Sequence, residues 1–140
     1  MNTVDDCAVL DLPRIAAQDG ALTPVEGGGV VPFEIARVFY VYDVVGGAER
    51  GGHAHHELHQ FIVTIMGSVN VTVDDGRQRR DFLLNRPYKG LHVPPQLWCD
   101  LTDFSGGAVV VVLASHPYEE ADYIRDHGDF LEFRGSVASA

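Results

Sequence analysis

The stretch RGGHAHHELHQFIVTIMG, residues 50–67, concentrates side chains that can bind a metal ion or move a proton. Four histidines lie within seven positions: His53, His55, His56 and His59. Successive side chains of an extended strand point to opposite faces, so His53 and His55 project together while His56 points away. Two imidazoles on one face suit either metal ligation or proton transfer, because neutral imidazole is both a metal ligand and a base near neutral pH.

The spacing of this stretch, continued by Gln60 and Gly67, resembles the first motif of the cupins. Gly90–Trp98 matches the second cupin motif in outline. Metal-binding cupins carry a glutamate where this chain has Gln60 and a histidine where it has Cys99. A carboxamide is a poor substitute for a carboxylate at a transition metal, and two imidazoles alone are too few ligands. We therefore predict a site without metal, although a Cys99 thiolate on zinc keeps a metal-dependent cupin open as an alternative.

The charge balance of the chain restricts its partners. It has 20 acidic and 10 basic residues and a net charge of −10. Such a surface disfavours nucleic acid and anionic membranes, because both are themselves negatively charged. A small anionic ligand would need a local basic pocket. Five of the basic residues, Arg77, Arg79, Arg80, Arg86 and Lys89, cluster on and after one turn, and we interpret them as a solvated face.

The compartment predicted from the sequence is the cytoplasm. Cys7 and Cys99 are too few and too isolated to form a disulfide framework, and the acidic start MNTVDDC is unlike a signal peptide. The longest apolar run, Ala108–Ala114, has the length of a buried strand and is far short of the ~20 residues that span a bilayer. We predict no membrane span.

Several segments have the composition or alternation of β-strands. Glu34–Val44 is mostly β-branched and aromatic, and SVNVTVDDG, residues 68–76, places three valines on one face. Gly67-Ser68 and Asp75-Gly76 lie between such runs and predict tight hairpins. Only Pro117–Phe130 shows a weak helical stripe. These patterns predict an all-β sandwich or barrel with one short helix near the C-terminus.

Longer motifs narrow the resemblance to one family of cupins. VPFEIARVFYVYDV, ERGGHAHHELHQ, GSVNVTVDDG, DFS and VLASHPYEEADYIRDHGDF are similar to the dTDP-4-keto-6-deoxyglucose 3,4-ketoisomerases of deoxysugar biosynthesis, from about Gly20 to Phe130. The resemblance implies an all-β, cupin-type jelly-roll barrel, with residues 1–140 as a single cupin domain. It also implies a homodimer that often exchanges a strand, no metal or other cofactor, and dTDP-4-keto-6-deoxyglucose as the substrate.

Moving a keto group from C4 to C3 of a hexose is acid–base chemistry. A proton leaves C3, an enediolate forms and a proton returns to C4, so no redox cofactor is required. His53 matches the base position of the family motif, and a positioned base typically contributes ~10²–10⁴-fold in rate. His55 is the candidate for delivering or relaying the second proton. Arg50 and Tyr40 are the candidate donors to the enediolate, although Tyr40 is equally consistent with an ordinary wall residue.

Three further residues are predicted to bind the substrate. Arg37 matches the family stretch RV[FY]Y and is the candidate partner of the nucleotide. Gln60 and Trp98 are candidates for the sugar and base pocket, although Trp98 is equally consistent with a residue that fills the barrel.

The chain departs from the family pattern at two positions, with His56 where lysine is common and Cys99 where histidine is common. The second change removes a candidate proton donor from the barrel mouth. A metal-free sugar-nucleotide epimerase and a non-enzymatic sugar-binding cupin are alternative functions. Neither the configuration at C4 of the product nor the downstream glycan follows from the sequence.

Overall fold

The computed structural model of the protein describes residues 1–135. The strands, in chain order, are β1 (Ala8–Asp11), β2 (Ile15–Ala17), β3 (Gly20–Leu22), β4 (Arg37–Val41), β5 (Arg50–His55), β6 (Gln60–Met66), β7 (Val69–Asp74), β8 (Arg79–Leu84), β9 (Lys89–Val93), β10 (Trp98–Thr102), β11 (Val109–Ala114) and β12 (Tyr123–Ile124). One α-helix, α1 (His127–Phe133), follows them, and short 3-10 turns cover Val4–Asp6 and Glu120–Asp122.

The strands form two five-stranded antiparallel sheets. The first sheet has the order β1-β9-β6-β11-β4, and the second has the order β12-β5-β10-β7-β8. Strands β2 and β3 hydrogen-bond to each other as a separate hairpin. Because β4 lies at the end of the first sheet, one of its edges has no strand partner among the described residues.

The main hydrophobic core lies between the two sheets. The first sheet contributes Ile62, Leu91, Val93, Val110 and Val112, and the second contributes Val69, Val71, Val73, Phe82, Leu84, Cys99 and Leu101. Alternation along each strand sends these side chains inward and the intervening ones outward. The predicted all-β jelly roll of cupin type with one short C-terminal helix is confirmed.

The position of the predicted helix was only partly right. Pro117–Phe130 is not a continuous helix: it contains a 3-10 turn and strand β12, and α1 begins only at His127. The Asp126 side chain caps α1 by accepting from the backbone N–H of Asp129. The weak apolar stripe reflects burial of Ile124 and Phe130 against the second sheet, and not helical periodicity.

Of the two predicted hairpins, one is confirmed and the other is wrong. Asp75-Gly76 joins the paired strands β7 and β8, where Asp75 accepts hydrogen bonds from two turn amides. Gly67-Ser68 instead carries the chain from the first sheet to the second, because β6 and β7 do not pair. Gly67 has φ of +76°, and a side chain there would overlap Ser105. Gly67 therefore allows the chain to cross from the first sheet to the second.

Within residues 1–135, no helix has the length and apolar composition needed to cross a bilayer.

Candidate functional site

The imidazoles of His53 and His55 lie side by side on one face of β5. Their ring centroids are 5.0 Å apart and the ring planes are nearly perpendicular. Ala54 points the other way and is fully buried against the C-terminal segment. The predicted paired imidazole face is therefore present.

A cavity of about 100 Å³ opens between the two sheets beside His53. Its polar lining consists of His53, Arg50, Gln60 and Cys99, and its apolar lining consists of Phe39, Val41, Ile62, Leu101 and Val112. Gln60 is buried at the start of β6, and Arg50 is exposed at the start of β5. The structure thus brings together three of the predicted site residues.

Tyr123 covers both imidazoles, a contact that sequence reasoning missed. Strand β12 pairs with β5 so that Tyr123 lies opposite His55. The phenol ring centroid is 4.2 Å from that of His55 and 5.0 Å from that of His53. Tyr123 therefore packs against both imidazoles from the neighbouring strand β12.

Asp122, also missed, places a carboxylate beside His55. Its Oδ2 lies 3.3 Å from Nδ1 of His55. The same carboxylate accepts backbone hydrogen bonds from Glu57 and Leu58, at 2.9 and 3.2 Å. Asp122 thus ties the turn after β5 to the C-terminal segment. A carboxylate at Nδ1 favours the tautomer with the proton on that nitrogen, which leaves Nε2 as the basic atom.

Both imidazoles are neutral at pH 7. Burial is the main reason why the pKa of His55 falls to about 4; the neighbouring His53 lowers it further and Asp122 opposes the shift. The pKa of His53 is also lowered, again chiefly by burial. A neutral imidazole can accept a proton, whereas an imidazolium cannot, so the environment of the pair keeps it in the form required of a base.

Arg37 contributes a guanidinium with two buried nitrogens that lack hydrogen-bond partners. Its Nε and one Nη are buried without a hydrogen bond. The guanidinium carbon lies 5.3 Å from the ring centroid of Phe39 and 5.6 Å from that of Tyr118. Its positive charge is one of the causes that lower the pKa of His55. Buried donors are costly to leave unpaired, so Arg37 is suited to an anionic ligand.

A network in the C-terminal segment holds Tyr123 in place. The guanidinium carbon of Arg125 lies 4.2 Å from the ring centroid of Tyr123. The same guanidinium donates two hydrogen bonds to the carboxylate of Glu120, at 2.6 and 2.9 Å. The hydroxyl of Tyr118 also donates to Glu120. The pKa of Glu120 falls to about 2, chiefly because of the hydrogen bond from Arg125.

Trp98 does not line the cavity, so the structure gives no support to its predicted role in substrate binding. Its indole packs on Phe130 of α1 and on His127, and Nε1 donates to Asp100. The reason is alternation along β10: Cys99 faces the cavity, so Trp98 faces the opposite side. Trp98 instead fills the space between the second sheet and α1.

Tyr40 also lies away from the imidazole pair. On β4, Phe39 and Val41 line the cavity, so Tyr40 points outward, and it is 62% exposed beside Tyr42. It lines a separate surface depression that Arg50 also reaches. Within this chain, the predicted role of Tyr40 as a donor to the enediolate has no geometric support.

The residues present do not fit a tight metal site. Among residues 1–135, no three His, Cys, Asp or Glu side chains are arranged to hold a metal ion. Burial is the main cause that raises the pKa of the Cys99 thiol to about 12, which disfavours the thiolate form that a metal binds.

Local periodicity could not have found Asp122 and Tyr123. Both residues lie in the segment predicted as helix, and they reach His55 through a two-residue strand. The motif YEEADYIRDHGDF contains both residues, but the motif indicates a family and not their contact with His55.

The chain is similar to known sugar 3,4-ketoisomerases over most of its length. The family model described as "FdtA: WxcM-like, C-terminal" matches residues 5–135. A curated TDP-4-oxo-6-deoxy-alpha-D-glucose-3,4-oxoisomerase from Aneurinibacillus thermoaerophilus is 39% identical over 129 residues, which are 92% of this chain and 93% of that protein.

Two solved structures agree with this similarity. A 3,4-ketoisomerase from Helicobacter canadensis is 38% identical, with a TM-score of 0.90, and the match covers 93% of this chain and 98% of that chain. A histidine-to-asparagine mutant of the 3,4-ketoisomerase QdtA from Thermoanaerobacterium thermosaccharolyticum, in complex with TDP-4-keto-6-deoxyglucose, is 34% identical. Its TM-score is 0.92, with 96% of this chain and 97% of that chain covered.

Proposed function

Because the chain belongs to the FdtA family of sugar 3,4-ketoisomerases, we propose that it moves the keto group of dTDP-4-keto-6-deoxyglucose from C4 to C3. The observation that supports this most directly is the pair of neutral imidazoles beside a cavity between the sheets. The reaction would belong to deoxysugar biosynthesis in the cytoplasm, and two buried free cysteines are compatible with that compartment.

In the proposed mechanism, His53 removes the proton from C3 and the electrons of the C–H bond form an enediolate. A proton then passes from the oxygen on C3 to the oxygen on C4, the carbonyl re-forms at C3, and C4 receives a proton. No electrons are gained or lost, so the step balances without a redox partner. His55, held by Asp122, delivers or relays the second proton.

The negative charge of the enediolate and of the diphosphate needs fixed donors. Arg37 supplies buried N–H groups without partners, and Arg50 supplies a second guanidinium at the cavity. Gln60 offers a carboxamide at the cavity wall, suited to hydrogen-bonding a sugar hydroxyl. Preorganised donors of this kind stabilise the enediolate more than water does, because they need not reorient.

The experiment that tests this function is incubation of the protein with dTDP-4-keto-6-deoxyglucose, followed by NMR of the product. The 3-keto isomer is expected. A product that keeps its carbonyl at C4 with inverted C3 or C5 would instead identify an epimerase, and unchanged substrate would favour a binding module.

We further propose that catalysis is independent of metal. Dialysis against EDTA is expected to leave turnover unchanged, because the cavity offers Gln60 and a protonated Cys99 in place of two metal ligands. The measurement is the initial rate before dialysis, after it, and after adding zinc, manganese or iron one at a time. Loss of activity that one specific metal restores would contradict the proposal.

We also propose a homodimer, assembled on the outer face of the first sheet. Val38, Tyr40 and Ile65 are exposed there, beside an apolar groove of about 230 Å³ that includes Val111. The groove adjoins the hairpin β2–β3, whose residues are all exposed and which pairs with neither main sheet. A free strand edge and apolar surface of this kind favour pairing with a second copy, with the hairpin as the exchanged element.

Light scattering of the wild type is expected to give twice the chain mass. Ile65→Glu is expected to shift the protein to monomer, because it places a charge on the proposed interface. Leu83→Glu is the matched control, since Leu83 is also exposed apolar surface but lies on the second sheet. A monomeric wild type, or equal effects of both substitutions, would refute this interface.

A further inference from the structure

Arg50 and His53 line the same cavity although they are three residues apart on β5. In a regular strand, side chains alternate between the two faces, so residues three apart point to opposite sides of the sheet. Arg50 would then lie on the outer face of the second sheet, away from the imidazole of His53. The alternation must therefore be interrupted between these two residues.

The interruption is a β-bulge at Gly51 and Gly52. The pairs between β5 and β10 are His53–Cys99, Gly51–Asp100 and Arg50–Leu101. Gly52 is skipped in this register, so two residues of β5 lie opposite one residue of β10. Gly51 and Gly52 have φ of +84° and +74°, a region that residues with a Cβ rarely adopt. The bulge therefore depends on glycine at these positions.

The bulge decides which side of the sheet Arg50 faces. Residues that pair directly across two strands project on the same face. Cys99 and Leu101 both line the cavity, so their partners His53 and Arg50 face it too. In a ladder without the bulge, Arg50 would instead lie opposite Thr102.

Thr102 belongs to the outer face of the second sheet. Its hydroxyl accepts a hydrogen bond from Nδ2 of Asn70, and Thr72 and Asp81 continue the same row of polar side chains. A guanidinium placed in this row would be separated from the cavity by the sheet itself.

The contacts around β5 hold its C-terminal half more firmly than its start. His55 pairs with Tyr123, and its carbonyl accepts a hydrogen bond from the backbone N–H of Gln96, at 2.7 Å. At the other end, the preceding loop, residues 42–49, is mostly exposed. A change of register in β5 is therefore expected to move Arg50 and to leave the histidines in place.

Resting on the proposed function, we propose that Gly51 and Gly52 are positioning residues for the reaction, because their bulge turns the guanidinium of Arg50 into the cavity beside His53. There the guanidinium meets the negative charge of the nucleotide sugar or of its enediolate. Both glycines act through Arg50, and neither supplies a side chain. The order Arg-Gly-Gly-His thereby places a fixed cation and a base on one wall, which the same spacing in a regular strand could not do.

The first test is Gly52→Val, with turnover of dTDP-4-keto-6-deoxyglucose as the measurement. The nearest atom to an added Cβ is Oδ1 of Asp100, at 3.6 Å, so the substitution acts through φ and not through a clash. Valine is strongly disfavoured at positive φ, and the strand is expected to return to the regular register with Arg50 outward. We expect kcat to fall roughly 10²-fold, the size usual for removing one donor to a developing anion.

Gly52→Asn is the conservative comparison. Asparagine also adds a side chain, but it tolerates positive φ far better than valine does. Its kcat is expected to lie within about fivefold of wild type, because the bulge can persist. Equal losses in the valine and asparagine variants would mean that bulk near the site is responsible, and would overturn the proposal.

A double-substitution cycle with Arg50→Ala shows whether the bulge acts through Arg50. Arg50→Ala alone is expected to lower kcat about as much as Gly52→Val. Adding Gly52→Val to it is expected to cost less than about threefold, because the two changes remove the same interaction. Additive losses, or a wild-type kcat in Arg50→Ala, would contradict this assignment.

Deleting Gly52 is the most discriminating test, because it removes the bulge without turning Arg50 away. Arg50 and His53 would then be two positions apart and would still lie opposite Leu101 and Cys99. The kcat of the deletion variant is expected to stay at least about tenfold above that of Arg50→Ala. This comparison holds even if Gly52→Val does not fold. A folded deletion variant as slow as Arg50→Ala would refute the proposal.

Gly47→Val is the matched control. Gly47 also has a positive φ, +81°, and no atom lies within 4 Å of an added Cβ, but it belongs to the exposed loop before β5. Its kcat is expected to stay within about threefold of wild type. A loss as large as that of Gly52→Val would assign the effect to loop strain and overturn the proposal. Wild-type kcat in Gly52→Val would refute this inference alone, whereas a wild type that forms no 3-keto product would refute the proposed function.

Discussion

Replacing His53 with asparagine is expected to remove turnover, with a fall in kcat of roughly 10²–10⁴-fold or more. The carboxamide is polar and fits beside the cavity, so the fold and substrate binding should survive, but it cannot accept the C3 proton. Initial rates with dTDP-4-keto-6-deoxyglucose measure the loss. Circular dichroism and thermal melting check the fold.

The partner variant, His55→Asn, is expected to behave differently in D₂O. If His55 returns the proton at C4, this variant still exchanges the C3 hydrogen with solvent while forming little product. His53→Asn is expected to show neither exchange nor product. Wild-type exchange at C3 in a folded His53→Asn protein would refute the assignment of the base.

His56→Asn is the matched control for both variants. It changes a histidine in the same segment, but the imidazole of His56 packs edge-on against the ring of Phe133, with ring centroids 4.7 Å apart. It is not part of the pair formed by His53 and His55. Its turnover is expected to stay within about threefold of wild type, within the small effects usual for substitutions remote from a site. A loss as large as that of His53→Asn would mean that charge or folding of the segment, and not the paired face, controls activity.

Gly90→Ala is expected to destabilise the protein by about 3 kcal/mol or more, at the upper end of overpacking effects. Gly90 lies inside the first sheet, where a Cβ would overlap the ring of Phe61. That ring is fully buried and cannot move aside without displacing its neighbours. Urea unfolding followed by tryptophan fluorescence measures the change.

Gly106→Ala is the corresponding control. Gly106 has no atom within 4 Å of the added Cβ and does not have positive φ. Its free energy of unfolding is expected to lie within about 0.5 kcal/mol of wild type. Equal stability of the Gly90 and Gly106 variants would show that Phe61 has room to move.

The part of the site that was predictable is the part set by local geometry. His53 and His55 share a face because they are two residues apart in a strand, and Gln60 and Arg50 lie at the ends of adjacent segments. Tyr123 and Asp122 depend on a contact across more than sixty residues, made through a two-residue strand whose surroundings have no clear period.

Alternation also explains why other predicted residues lie elsewhere. Once Cys99 faces the cavity, Trp98 must face α1, and once Phe39 faces it, Tyr40 must face outward. The two-residue alternation of side chains can be predicted from the sequence. Which of the two faces of each strand points into the cavity cannot. The same limit applies to Gly67-Ser68, because a tight turn within a sheet and a crossing between sheets use similar residues.

The free edge strand β4 has a consequence for how this protein can vary over evolution. On this strand Phe39 and Val41 line the cavity, whereas Val38 and Tyr40 lie on the proposed dimer face. A one-residue insertion in this strand would exchange the two sets and damage both surfaces together. Substitutions are therefore constrained at each position from Val38 to Val41, whereas an ordinary surface strand is constrained at every second one.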